Sequence, residues 1–143
     1  MKHVSILVPQ GQASLVNIEG TRQLFSEVNS LLSDMGRAPV FSIDLVGLSK
    51  ETVQNGGYIV KPDRLLADIQ RTDLIIIPAI HSELKQAIED NQEFIPWIIQ
   101  QYNSGSDVAS FCIGAFLLAA TGLLKGKQAA THWRFVNEFR LMY

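Results

Sequence analysis

Two stretches of the chain are apolar at successive positions instead of at alternate ones, HVSILVP (His3–Pro9) and DLIIIPAI (Asp73–Ile80). A strand with one wet face alternates apolar and polar residues, whereas a strand apolar throughout must be covered on both faces. Between the two runs, Leu24, Phe25, Val28, Leu31, Leu32 and Met35 recur at helical spacing and stop at Gly36, a C-terminal helix stop. Doubly buried strands alternating with helices predict an α/β fold: a three-layer α/β/α sandwich around a mainly parallel sheet.

The remaining segments fit the same alternation. PVFSIDLVG reads as a second strand, and GQASLVN before the first helix as a loop. Asn55-Gly56-Gly57 sits between two short β-rich runs, a hairpin signal. RLLADIQ reads as a short helix with Asp63 as its N-cap. SELKQAIEDNQEFIPWIIQQYNSG reads as helical, capped by Ser82, with Glu83 in the first turn and a break near Asn91 or Pro96. DVASF is then a strand, CIGAFLLAATGLL a helix, KQAATHW irregular or a short strand, and RFVNEFRLMY the start of another helix.

A chain of 143 residues suits one domain with one core. Its formal charge of −2, with basic residues scattered, gives no phosphate-tracking face, so this segment is not expected to bind DNA by itself. One cysteine excludes an internal disulfide. The N-terminus lacks the pattern of a signal peptide, and the longest apolar run is far short of the roughly 20 residues that cross a bilayer, so a cytoplasmic protein with no membrane partner is expected. His3, His81 and His132 are too dispersed for a metal site, and neither a metal nor another cofactor is expected. The final FRLMY is apolar and helical in pattern, so the domain over 1–143 is expected to be incomplete at its C-terminus.

The chemistry concentrates where the strand DVASF becomes a helix at Cys112. In open parallel sheets, ligands bind beyond the carboxyl ends of the strands. A strand–nucleophile–helix turn lifts a side chain above the sheet beside free backbone N–H groups, and a helix N-terminus favours thiolate. Gly114 would let backbone approach a bound group. Cysteine is equally at home as a small buried hydrophobe. Position alone leaves a reactive thiol and a packing residue both open.

The stretch VASFCIGAFLLAATGLLKGKQAATHW resembles the ThiJ/PfpI family of the class I glutamine amidotransferase-like superfamily. It is most similar to the branch that forms the N-terminal domain of AraC-type transcriptional regulators. The resemblance rests on Cys112, Gly114-Ala115-Phe116, Gly122-Leu123-Leu124, Gly126 and Ala130-Thr131-His132-Trp133, and on the order of elements along the whole chain. It implies a flavodoxin-like sandwich with a site built from the elbow cysteine, a carboxylate in the loop after the first strand and a histidine beyond the elbow helix. His132 falls at the histidine position. The carboxylate position maps onto Asn17, which can hydrogen-bond but cannot exchange a proton near neutral pH. Glu19, two residues on, is expected to point elsewhere. Family members commonly carry Gly-Gly after the proline of IIIPAI; here the pair is Ala79-Ile80, and a β-branched Ile80 resists the φ that glycine permits. His81 is either a polar loop residue or a pocket residue, and His132 either a structural partner of Trp133 or part of the pocket.

The resemblance therefore implies a non-catalytic, ligand-sensing and dimerising domain. Its pocket would gather Cys112, Ile113, Asn17, Ile80, His81 and His132 around a small-molecule effector. The expected assembly is a homodimer, and DNA would be reached only through a C-terminal helix-turn-helix domain that is not in this chain. Two alternatives stand beside it: a cysteine-dependent hydrolase, glyoxalase or lyase acting on small carbonyl or amide compounds with Cys112 and His132 as catalytic residues, and a pure interaction module with the elbow packed shut.

Overall fold

The two apolar runs lie side by side at the centre of the sheet. The computed structural model describes residues 1–81 and 83–143, Asn55 by its backbone only. Strand β1 (Lys2–Val8) pairs in parallel with β2 (Phe41–Gly47) on one side and with β6 (Leu74–Ile77) on the other. The five-stranded order is β5-β2-β1-β6-β7, with β5 at Arg64–Leu65 and β7 at Asp107–Ser110, and every pairing in it is parallel. Strands β3 (Thr52–Gln54) and β4 (Tyr58–Val60) form the hairpin expected around Asn55-Gly56-Gly57, as a separate antiparallel pair.

Each central strand presents apolar residues to two layers. Val4, Ile6, Val8 and Ile76 pack with Ile18 and Phe25 of helix α1 (Leu15–Asp34). Leu7, Ile75 and Ile77 pack on the other face with residues of α2 (Leu84–Asp90), α3 (Phe94–Asn103) and α4 (Ala115–Ala120). This is the doubly covered arrangement that the unalternating runs require. A last helix, α5 (Val136–Met142), follows a single 3₁₀ turn at Trp133–Phe135.

Several boundaries differ from the sequence reading, each for a local reason. Helix α1 begins at Leu15, inside the expected loop, because Ser14 is its N-cap and accepts a hydrogen bond from the Asn17 N–H at 3.3 Å. RLLADIQ is a two-residue strand and a 3₁₀ turn, not a helix. Asp63 does not cap it: its carboxylate accepts from the Leu45 N–H at 2.8 Å and so ties the segment to β2. The expected break near Asn91 separates α2 from α3, and Pro96 sits in the first turn of α3, where its missing N–H costs nothing. Glu83 is the N-cap of α2, accepting from the Gln86 N–H at 3.0 Å; the expected cap Ser82 lies outside the described residues.

A buried polar network holds the bottom of the sheet. Gln101 of α3 is 2% exposed; its side chain accepts from the Thr72 N–H at 3.0 Å and donates to the Gln70 carbonyl at 3.1 Å. Ser5 donates to the Thr72 hydroxyl, and Ser106 to the Thr72 carbonyl. Gln101→Ala leaves the buried Thr72 N–H unpaired, at about 1–3 kcal/mol. The expected result is a melting temperature lower by about 4 °C per kcal/mol, with unchanged far-ultraviolet circular dichroism. An unaltered melting temperature would show that the network is not what holds this loop.

Candidate functional site

The parallel register brings three loops to one edge. Ile6 pairs with Ile76, and Ile76 with Ala109, so the segments leaving β1, β6 and β7 emerge together at the carboxyl end. They carry Asn17, Pro78-Ala79-Ile80 and Cys112 respectively.

Cys112 opens a 3₁₀ turn, Cys112–Gly114, that runs into α4. Its φ is +53°, and it is the one non-glycine residue at positive φ among those described. Such a conformation costs about 1–3 kcal/mol and persists only where the surroundings over-determine it. Two contacts do so here. Phe111 donates its N–H to the Ile77 carbonyl at 2.9 Å, which fixes the end of β7. Gly114 lies directly on the turn after β6: a Cβ there would collide with the Pro78 carbonyl oxygen and sit 2.9 Å from that of Ile77. The close approach expected of Gly114 is thus made to the protein's own backbone. Its absent side chain lets the elbow sit down on β6.

The thiol is half-buried. It packs against a small cluster of Ala79, Ile113 and Phe116, flanked by Leu84, Ile88, Phe135 and Phe139. The elbow is therefore neither sealed in the core nor fully open to solvent. The Cys112 carbonyl accepts from the Thr131 hydroxyl at 3.2 Å, a tie that binds the segment before α5 to the elbow.

Asn17 lies in the first turn of α1 and its side-chain oxygen accepts from the Ala79 N–H at 3.2 Å. One of the backbone donors that an oxyanion would use is thereby occupied from within. Glu19 is exposed and accepts from Gln23 along the outside of α1 at 3.1 Å, away from the elbow. Among the described residues, no carboxylate hydrogen-bonds the thiol. Ile80 is 3% exposed and belongs to the core beneath α2 and α4, and Ile113 is 7% exposed in the elbow cluster. His81 has an exposed side chain, and its N–H donates to the Gln12 carbonyl at 2.7 Å. His132 caps the turn before α5: its Nδ1 accepts from the Arg134 N–H at 3.2 Å, and its ring stacks on Trp133 with centroids 5.4 Å apart. The neutral ring then carries its proton on Nε2.

Asn17, Ala79, Cys112 and Ile113 are thus brought together. His132 adjoins them through Thr131 and through its ring contact with Phe135. His81 faces outward. Two surface clefts, one beside α5 and one beside the start of β1, are lined by none of the six expected pocket residues. Among the described residues, no group of three or more His, Cys, Asp or Glu side chains could hold a metal ion.

Sequence reasoning did not find the residues that position the Asn17 loop. Gln54 of β3, 3% exposed, accepts from the Ala13 N–H at 2.7 Å and donates to the Pro9 carbonyl at 3.0 Å. Asn91, fully buried, accepts from the Gln10 N–H at 2.8 Å and donates to its carbonyl at 3.1 Å. Both amides stand far from the loop in the chain, and each lies in a polar stretch, residues 54–57 or 89–93, that carries no sequence signal of a structural task.

A parallel sheet covered on both faces, with a strained cysteine on the strand-to-helix turn at its carboxyl edge, defines an elbow-type α/β domain. The sequence pattern of the DJ-1/PfpI family matches residues 18–141, and the chain belongs to that family. Isonitrile hydratase of Pseudomonas putida is 34% identical over 92 residues, which are 64% of this chain and 38% of that protein. The HTH-type transcriptional regulator CdhR of Pseudomonas aeruginosa is 24% identical over 115 residues, 80% of this chain and 32% of that protein. The matches thus span only about a third of each relative. An AraC family transcriptional regulator from Pseudomonas putida superposes with a TM-score of 0.73 at 14% identity, over 99% of this chain and 72% of that one; at such identity the likeness is one of fold. Among the described residues, no helix is long and apolar enough to cross a membrane.

The positive φ of Cys112 makes an unusual stability ordering. At most buried positions Gly is less stable than Ala. Here Cys112→Gly is expected to exceed Cys112→Ala by about 1 kcal/mol in urea denaturation, because only glycine enters the left-handed region without steric cost. Equal or reversed stabilities would mean that the elbow is relaxed.

Proposed function

We propose that this chain is the ligand-sensing and dimerising part of an AraC-type transcriptional regulator, and that its elbow receives a small-molecule effector without turning it over. The observation that carries the non-catalytic half is the hydrogen bond from the Ala79 N–H to Asn17. Where a proton-exchanging acid would face the thiol, an amide consumes a backbone donor. His132 supports the same reading, because its Nδ1 is engaged in capping the turn before α5. The regulatory half is supported by the likeness to CdhR over most of this chain and by the shared fold of the AraC family regulator. In the whole protein, DNA would be contacted through a helix-turn-helix domain outside residues 1–143, in the cytoplasm.

The second reading is a cysteine-dependent enzyme, favoured by the likeness to isonitrile hydratase and by the retained strain at Cys112. Two measurements decide between them. Chromatin immunoprecipitation with an antibody against this chain is expected to recover discrete promoter regions from its native host. Purified protein incubated with a simple alkyl isonitrile is expected to form no formamide above the Cys112→Ala background. Cys112-dependent turnover, or no promoter enrichment, would overturn the regulator.

For dimerisation we propose the exposed face of α1. Val16, Leu24, Leu31 and the C-cap residue Met35 are all exposed and fall within about 100° around the helix, an apolar patch that shares its arc with Glu27 and Asp34. A second copy would cover it. Sedimentation equilibrium is expected to give a dimer for the native chain and a monomer for Leu24→Glu/Leu31→Glu with unchanged circular dichroism. A native monomer, or an unaffected dimer in the variant, would remove this surface from the interface.

A further inference from the structure

A cleft lies at the opposite end of α4 from Cys112, between the turns that follow that helix and α5. Its volume is about 540 Å³, within the range that holds a small organic molecule. Leu124, Phe139 and Tyr143 form apolar walls, while Ala119 and Ala129 leave room between them. Lys125, Lys127 and Arg140 supply every charged side chain of the lining. In a protein of net charge −2, residues 122–143 hold four Lys and Arg against a single acidic side chain, Glu138, which does not line the cleft.

The cations are placed by the fold. Gly122 and Gly126 take φ of +76° and +74°, with nothing within 4 Å of where a Cβ would lie, so each serves the turn's conformation and not a tight contact. These turns carry Lys125 and Lys127 to the rim. Lys127 is held there by a 2.7 Å hydrogen bond to the Tyr102 hydroxyl, with its ammonium 4.8 Å from that ring's centroid. Arg140 projects from α5. None of the three pairs with a carboxylate among the described residues. Tyr143 adds no negative charge through its phenol, because burial pushes its ionisation above the ordinary value. Three like charges around one concavity repel, and an anion between them relieves that repulsion.

We propose that this cleft is a binding site for a small organic anion with an aromatic or bulky apolar body: a carboxylate or equivalent head among Lys125, Lys127 and Arg140, and an apolar body against Leu124, Phe139 and Tyr143. The site is separate from the elbow, and it stands whether or not Cys112 faces an effector.

The test is an amide-resolved nuclear magnetic resonance titration of the 143-residue chain with 1-naphthoate, and in parallel with neutral 1-naphthamide. Naphthoate is expected to give saturable shifts at Gly122, Leu124, Gly126 and Ala129 that weaken in 0.5 M salt. Naphthamide is expected to bind at least about tenfold more weakly. Lys125→Gln and Arg140→Gln should each weaken naphthoate about tenfold, since both cations are exposed and their neutralisation leaves the fold intact. Cys112→Ser should leave its affinity unchanged. Equal binding of acid and amide, indifference to the charge variants, absence of saturable binding, or shifts confined to Asn17, Cys112 and Ile113 would each overturn the cleft. The last pattern would do so while leaving the elbow as receptor.

Discussion

The contact between the backbone of Gly114 and the carbonyls of Ile77 and Pro78 sets the position of everything at the carboxyl edge. It is a contact between main chains, so no side-chain adjustment could absorb a methyl group placed between them. Because the elbow is pressed against the turn after β6, Ala79 enters the same small cluster as Ile113 and Phe116. The Ala79 N–H is then within reach of the first turn of α1. Three chain segments separated by some 95 positions, from Asn17 to Cys112, meet because one residue has no side chain.

On the facing side, the loop after β1 is rigid for a different reason. It runs along the sheet edge, where its backbone groups are shielded from water, and two buried amides satisfy them from opposite sides. Gln54 comes from the hairpin and Asn91 from the junction of α2 and α3. Primary amides suit this task, because each offers a donor and an acceptor and neither changes charge with pH. The antiparallel bridge between Ala13 and Ile80 completes the frame. Asn17, in the first turn of α1, therefore follows directly on a loop tied at both sides, and its bond to Ala79 links that helix to the turn after β6.

The layers of the fold were legible in the chain because burial on both faces leaves an unmistakable pattern: β1 and β6 are apolar at successive positions, and both lie at the centre of the sheet. The hairpin was legible for the same kind of reason, since Asn55-Gly56-Gly57 has few other uses. RLLADIQ misled because Leu65, Leu66 and Ile69 have helical spacing while Asp63 looks like a cap; the Leu45 N–H across the sheet competes for that carboxylate and wins. At the candidate site, the family motif singled out Cys112, Asn17 and His132, but the partners of those residues were not legible. That Asn17 would engage Ala79, that Thr131 would hold the Cys112 carbonyl, and that Gln54 and Asn91 would clamp the loop all depend on contacts between distant positions, which spacing in one chain does not encode. The cleft beyond α4 was hidden for another reason: Lys125 and Lys127 look like a meagre basic pair until α5 folds back and adds Arg140.

The strained cysteine and the missing acid pull in opposite directions, and their magnitudes show which of them bears on chemistry. Strain at Cys112 of about 1–3 kcal/mol is modest beside the packing of Ile113 and Phe116 that follows it, and a buried aromatic side chain alone contributes on the order of 3 kcal/mol. Packing alone is therefore enough to hold the elbow in this conformation. A positioned acid or base, by contrast, typically contributes about 10²–10⁴ in rate, or roughly 3–5 kcal/mol of barrier. Among the described residues of this edge, Asn17 has no proton to exchange, Glu19 faces solvent, and the Nδ1 of His132 is engaged in the turn before α5. The half-buried thiol thus sits at a hydrogen-bonded edge where, among the described residues, no carboxylate reaches it, an arrangement that fits the proposed receptor better than a proton-transfer catalyst.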